Sequence, residues 1–176
     1  AVLLWLPICN EKPISFLDAL FTSTTSVCVT GLITIVPKYQ FTIVGKVVLL
    51  LLIQIGGLGI VACVAAFFMI MRRKITLKER IVIQETYNMD SLGGLVGMVR
   101  RILLGTLVVE GAGAVLYAIQ FVPDFGLLKG VWYGVFHSVS AFCNAGIDIL
   151  GEDSLAKYVT NPLINITTML LITLGG

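Results

Sequence analysis

Two stretches of this chain place hydroxyls, a thiol and a closing glycine inside apolar surroundings: TSTTSVCVTGL at 22–32 and HSVSAFCNAGI at 137–147. No acid lies between Thr22 and Gly31. The four cysteines (Cys9, Cys28, Cys63 and Cys143) are far apart and form no CxxC or Cys/His cluster, which argues against a zinc site or a disulfide framework. The useful group is the backbone. Non-helical backbone at membrane depth is tolerated only where it is buried in protein or lines a water-filled cavity. Carbonyls turned towards such a cavity can replace the hydration shell of a small cation. The C-terminal end of a short helix adds partial negative charge, and a glycine admits the positive φ that a tight loop needs. A bland reading, an ordinary turn packed on the protein, fits the first stretch taken alone.

The second stretch changes that balance. A shift of 115 residues lays FTSTTSVCVTGL (21–32) on FHSVSAFCNAGI (136–147). Phe21 meets Phe136, Ser23 meets Ser138, Cys28 meets Cys143 and Gly31 meets Gly146. Gly56–Gly57 then meets Gly175–Gly176 if the second connection is four residues longer. The order of elements repeats as well: spanning helix, short helix, polar loop ending in glycine, spanning helix with a glycine pair.

The elements that must hold these loops belong in a bilayer. Hydrophobic residues make up 57% of the 176-residue chain, charged residues 12%, and the mean hydropathy is +0.99. A soluble domain is roughly 45–50% apolar and about 25% charged. A net charge of +2 gives no reason to expect a nucleic-acid partner. The chain begins and ends inside apolar runs, and it reads as a fragment of a longer membrane protein.

AVLLWLPIC resembles the end of a helix. SFLDALFTSTT predicts a short helix of about ten residues, capped by Ser15 or Asp18 and too short to span. Pro37 marks a second turn. Phe41 to Met71 is one long apolar segment; at ~1.5 Å per residue it measures about 46 Å and must tilt, break at the GGLG of 56–59, or extend into water. That GGLG has no strand before it, so helix flexibility or close packing suits it better than nucleotide binding. Ile102–Val122 predicts a spanning helix containing Glu110, PDFGLLKG a turn, and VWYGVFHSVSAF a second short helix of about ten residues. Residues 72–101 hold seven Lys/Arg, more than the five in the rest of the chain. The positive-inside rule puts that stretch in the cytoplasm and both polar loops on the opposite face. Repeats of the same orientation describe a pore better than a rocking inverted-repeat transporter.

With these residues in view, the two loops resemble the first and second pore loops of the Trk/Ktr/HKT superfamily of potassium transporters. RRKITLKERIVIQE looks like the linker between the first two repeats of its bacterial Ktr-type subunits. The resemblance implies an all-α integral membrane fold built of parallel repeats of helix, re-entrant pore helix, filter loop and helix. In that scheme this chain is a fragment of a four-repeat pore. Residues 1–71 form the first repeat, 72–101 a basic cytoplasmic linker and 102–176 the second repeat. The filter comprises Cys28, Val29, Thr30 and Gly31 with Cys143, Asn144, Ala145 and Gly146. K⁺ is held by the carbonyls of Val29, Thr30, Gly31, Asn144, Ala145 and Gly146, and the two cysteines lie at the inner end with their side chains packed behind.

In this family a glycine in each loop accompanies K⁺ and a serine in the first accompanies Na⁺. Gly31 and Gly146 therefore imply K⁺, with Na⁺ as a candidate coupling ion and no bound cofactor. The implied partners are membrane lipid, a second copy of the pore subunit and a cytoplasmic nucleotide-binding RCK-type regulator, in the plasma membrane. No enzymatic activity is expected.

Other residues keep two readings. Asp148 either holds cations at the outer mouth or caps its own loop. His137 reads as a hydrogen-bonded structural histidine before a pH sensor or ligand. Glu110, an acid inside a spanning helix, is a functional candidate by default but suits a protonated or packing role. Asn165 begins a glycosylation sequon by pattern alone, and the basic linker could also serve as a contact for a cytoplasmic regulator. Two competing functions remain: a Na⁺-conducting member of the same family, and a membrane scaffold whose re-entrant loops are purely structural.

Overall fold

A computed structural model describes residues 1–59, 95–151 and 153–176. The second part of the expected Phe41–Met71 segment, most of the 72–101 linker and Cys63 lie outside the described residues. The described elements are helical: α1 (Val2–Trp5), α2 (Phe16–Val27), α3 (Pro37–Gln40), α4 (Ile43–Leu58), α5 (Leu95–Phe125), α6 (Leu127–Phe142) and α7 (Pro162–Gly175). Short 3₁₀ turns occupy Pro7–Cys9 and Ala156–Tyr158. Extended pairing among the described residues is limited to one bridge between Asn10 and Phe41.

Local chemistry sets several of these boundaries. Ser15 caps α2: its hydroxyl oxygen accepts from the Asp18 amide at 3.1 Å, and its proton goes to the Asp18 carboxylate at 2.6 Å. Asn161 caps α7 by accepting from the Leu163 and Ile164 amides, with Pro162 at the first helical position. Pro37 opens α3 in the same way. The Asn165 side chain is also engaged, donating to the Val159 carbonyl at 2.8 Å.

The second half departs from expectation in extent. α5 runs from Leu95 to Phe125, past both ends of the predicted Ile102–Val122, and takes in Pro123 near its C-terminus. Proline in a final turn costs one ladder bond rather than a helix. The expected PDFGLLKG turn shrinks to Gly126 alone, at φ +83. α6 consequently starts at Leu127 and is 16 residues long.

The chain divides into two compact units, Ala1–Gly57 with Val109–Gly176, and Leu58–Val108. The first contains both polar loops. Its core joins residues of both repeats, among them Leu4, Ala19, Phe41, Leu49 and Ile53 with Phe136, Val139 and Ile149. A second cluster gathers Tyr117, Phe121, Tyr158, Ile164 and Leu171. In the second unit the described residues are Leu58, Gly59 and the first half of α5.

The outer surface is apolar. Among the described residues one helical span is long and apolar enough to cross a membrane, Val99–Phe125, with mean hydropathy 2.0 and only 22% of its most apolar window buried. A soluble core helix of that composition would be buried; this one turns Leu107, Val108, Val115 and Ile119 outward. The fold is all-α and membrane-associated.

Candidate functional site

The two polar stretches close α2 and α6 with the same backbone turn. Cys28 (φ −81, ψ −1) and Cys143 (φ −75, ψ −1) are the last right-handed residues. Val29 (φ 54) and Asn144 (φ 56) then turn left-handed, as do Gly31 (φ 74) and Gly146 (φ 64) two residues later. The Thr30 amide donates to the Thr25 carbonyl at 3.0 Å, and the Ala145 amide to the Ser140 carbonyl at 2.8 Å. These are the six-to-one bonds of a Schellman motif, which satisfies carbonyls a helix end would otherwise leave open. The Thr30 and Ala145 amides are thereby consumed by the helices. The carbonyls of Val29, Thr30, Gly31, Asn144, Ala145 and Gly146 accept no hydrogen bond from any described residue.

One hydroxyl at equivalent helix positions pins each loop. Thr25 shares a 2.5 Å hydrogen bond with the Thr30 hydroxyl, whereas Ser140 donates to the Ile147 carbonyl at 2.5 Å. Sequence reading missed both, because Thr and Ser do not score as an identity at the 115-residue shift; matching by hydroxyl would have found them.

The loops lie side by side. A Cβ built on Gly31 would stand 2.7 Å from the Ala145 carbonyl oxygen and 3.6 Å from the Gly146 Cα. Gly31 therefore needs to be glycine twice over, for its φ and for space. Gly146 has the same backbone requirement, but a Cβ there would come no nearer than 3.9 Å to any atom.

The glycine pairs support the loop roots. A Cβ on Gly56 would run into the Val27 carbonyl, and one on Gly175 into the Phe142 carbonyl. Val27 and Phe142 are themselves partners at the 115-residue shift, so the same seat recurs in both repeats. Gly57 rests on the buried Cys143 side chain, while Cys28 is exposed. For 56–57, close packing is the observed role.

α6 lies against α5 through Gly130 and Gly134, whose hypothetical Cβ atoms would meet backbone at Phe121–Val122 and Ala114–Ala118. Four residues further on, Ser138 donates to the Glu110 carbonyl at 2.6 Å. The Glu110 carboxylate is buried and accepts from Gln54 of α4 at 2.9 Å, which ties the two repeats together. Glu110 is thus a packing link rather than part of the loops. Asp148 caps: its Oδ1 accepts from the Leu150 amide at 2.9 Å. Among the described residues His137 has one hydrogen-bond partner, the Tyr133 carbonyl, at 2.8 Å. Among the described residues no three His, Cys, Asp or Glu side chains gather as a metal site. Beyond the loop, Asp124 accepts from the Tyr158 hydroxyl at 2.5 Å and pairs with Lys157 at 3.4 Å; burial, then this hydrogen bond, pushes the Tyr158 phenol upward.

A family model described as "TrkH: Cation transport protein" matches residues 2–176. The chain belongs to this family. TrkH-family proteins are transporters, not enzymes, and the wider Trk/Ktr/HKT resemblance read from the loops holds. The chain is 42% identical over 176 residues to the Ktr system potassium uptake protein B of Bacillus subtilis (strain 168), covering all of this chain and 39% of that protein. It is 41% identical over 161 residues to the potassium/sodium uptake protein NtpJ of Enterococcus hirae, covering 92% and 36%. It is 36% identical over 176 residues to the Ktr system potassium uptake protein B of Vibrio alginolyticus, covering 100% and 38%. The chain thus spans well under half the length of the curated relatives it matches.

Proposed function

We propose that this chain supplies the first two of four pore loops through which K⁺ enters the cell. The carbonyls of Val29, Thr30, Gly31, Asn144, Ala145 and Gly146 coordinate the ion, with Cys28 and Cys143 at the inner end. The observation that carries this reading is the recurrence of one backbone turn, with its Schellman amide spent and its carbonyls unengaged, in two loops that touch. Residues 1–71 and 102–176 are then repeats in parallel, and 72–101 is their cytoplasmic linker. The whole protein sits in the plasma membrane as a dimer of pore subunits on a nucleotide-binding RCK-type regulator. Asp148 adds negative charge at the outer mouth while capping its loop.

K⁺ is the preferred ion because two relatives are named for potassium uptake. The E. hirae relative is named for potassium and sodium, which makes Na⁺ the competitor to test. The experiment is K⁺ and Na⁺ uptake by the complete protein in cells lacking other K⁺ systems. Gly31→Ser should abolish most of the K⁺ preference, because its side chain would press on the Ala145 carbonyl. If uptake and K⁺/Na⁺ preference were both unchanged, the filter assignment would be wrong and the scaffold reading would stand.

A further inference from the structure

Beside the second loop lies a cavity of about 180 Å³, lined by His137, Ser140, Asn144, Asp148, Ser154 and Thr168 among others. One water needs only about 10–15 Å³ of such space. The chemistry of its wall is uneven in a telling way. His137 is 4% exposed, and its Nε2 has no hydrogen-bond partner among the described residues. Its Nδ1 lies 2.8 Å from the Tyr133 carbonyl, which can only accept, so Nδ1 carries the proton. In the neutral ring Nε2 is therefore a bare acceptor on the cavity wall. Three hydroxyls of the wall are committed to other partners. Thr168 donates to the Ile164 carbonyl, so the Tyr117 hydroxyl, 2.7 Å away, donates to Thr168. Ser140 gives its proton to the Ile147 carbonyl. Asp148 offers only acceptors, and its Oδ2 takes no hydrogen bond from a described residue. A buried acceptor left without a donor is costly, and no described side chain donates to His137 Nε2.

We propose that this cavity is a hydration site. Water donates to His137 Nε2 and to the Asp148 carboxylate, and so joins the second short helix to the far end of its own loop. His137 is then a positioning residue for the carbonyls of 144–146, acting through water without touching the ion. The first repeat has Thr22 at the equivalent position. Its Oγ1 is also buried without a partner, but no acid follows Gly31 as Asp148 follows Gly146.

The inference rests on the filter reading above, and its test separates the two. K⁺/Na⁺ preference is measured for the complete protein carrying His137→Phe, His137→Gln, Asp148→Asn, the combination of His137→Phe with Asp148→Asn, and Gly31→Ser. His137→Phe should lower the preference roughly two- to tenfold, the scale of one hydrogen bond. His137→Gln, which keeps an acceptor near Nε2, should restore most of it. The effects of His137→Phe and Asp148→Asn should be non-additive, because they cut one chain. Additive effects, or a glutamine variant no better than phenylalanine, would overturn the hydration site. If these variants behave as wild type while Gly31→Ser loses its preference, the inference fails and the filter reading survives. A His137→Phe protein that fails to reach the membrane leaves the glutamine and asparagine variants to decide the case.

Discussion

The two loops reach one backbone conformation with different residues, and the differences show which parts of the design are fixed. Left-handed φ at the first position falls on Val29 in one loop and Asn144 in the other. Asparagine tolerates that region, whereas a β-branched residue is strained there. The loops expose alternate positions: Cys28 and Thr30 are open where Cys143 and Ala145 are buried, whereas Asn144 and Gly146 are open where Val29 and Gly31 are half-buried. Its glycine is crowded by the second loop, while the second loop's glycine is not crowded by the first. What both loops keep is the Schellman bond, the glycine and the glycine seat beneath. Side-chain identity in between is free to vary; the path of the carbonyls is not.

The largest expected effect tests the seats. Gly56→Ala and Gly175→Ala each drive a methyl into a carbonyl oxygen, so each should destabilise the complete protein by about 1–3 kcal/mol. Thermal unfolding in detergent would measure this, and closely matched losses are expected if the repeats are equivalent. A seat that accepted alanine without loss would end that equivalence. Next, Gly31→Ala should cost more than Gly146→Ala, since the second carries only the left-handed penalty of about 1–2 kcal/mol. Equal costs would mean that another part of the complete protein crowds Gly146 as the second loop crowds Gly31. The smallest effect is a residue exchange: Asn144→Val should cost about 1 kcal/mol, while Val29→Asn should be near neutral. The same unfolding experiment reads both, and a destabilising Val29→Asn would show that Val29 is held by packing against the core rather than tolerated despite its strain.

Much of this was legible in the residues. The glycines at 31 and 146, the hydroxyl-rich helices before them and a cap at Ser15 or Asp18 all follow from propensity and pattern. The extent of α5 and α6 did not. Pro123 and Asp124 looked like a turn because proline and aspartate favour turns. Both tolerate a helix's last turn, and Asp124 is held there by Tyr158 and Lys157, 34 and 33 residues onward. The partner of Glu110 was also hidden: Gln54 is polar in an apolar run, but only packing joins residues 56 positions apart. His137 was read as structural from its type, whereas its unpartnered Nε2 depends on where the Tyr133 carbonyl falls.

The glycine seats also set where the chain can change length. α4 begins at Ile43 and α7 at Pro162, and each helix reaches its seated glycine after the same number of residues. The four extra residues of the second repeat therefore lie wholly between Gly146 and Pro162, in the turn that carries Gly151, Ser154 and the 3₁₀ segment Ala156–Tyr158. Spacing is a fixed quantity on the seated side of each loop and a free one on the other. An epitope or a reporter spliced into the Gly151–Ala156 turn would leave both seats in register, whereas one extra residue between Pro162 and Gly175 would rotate the seat off its carbonyl by about 100°, the turn per residue of an α-helix.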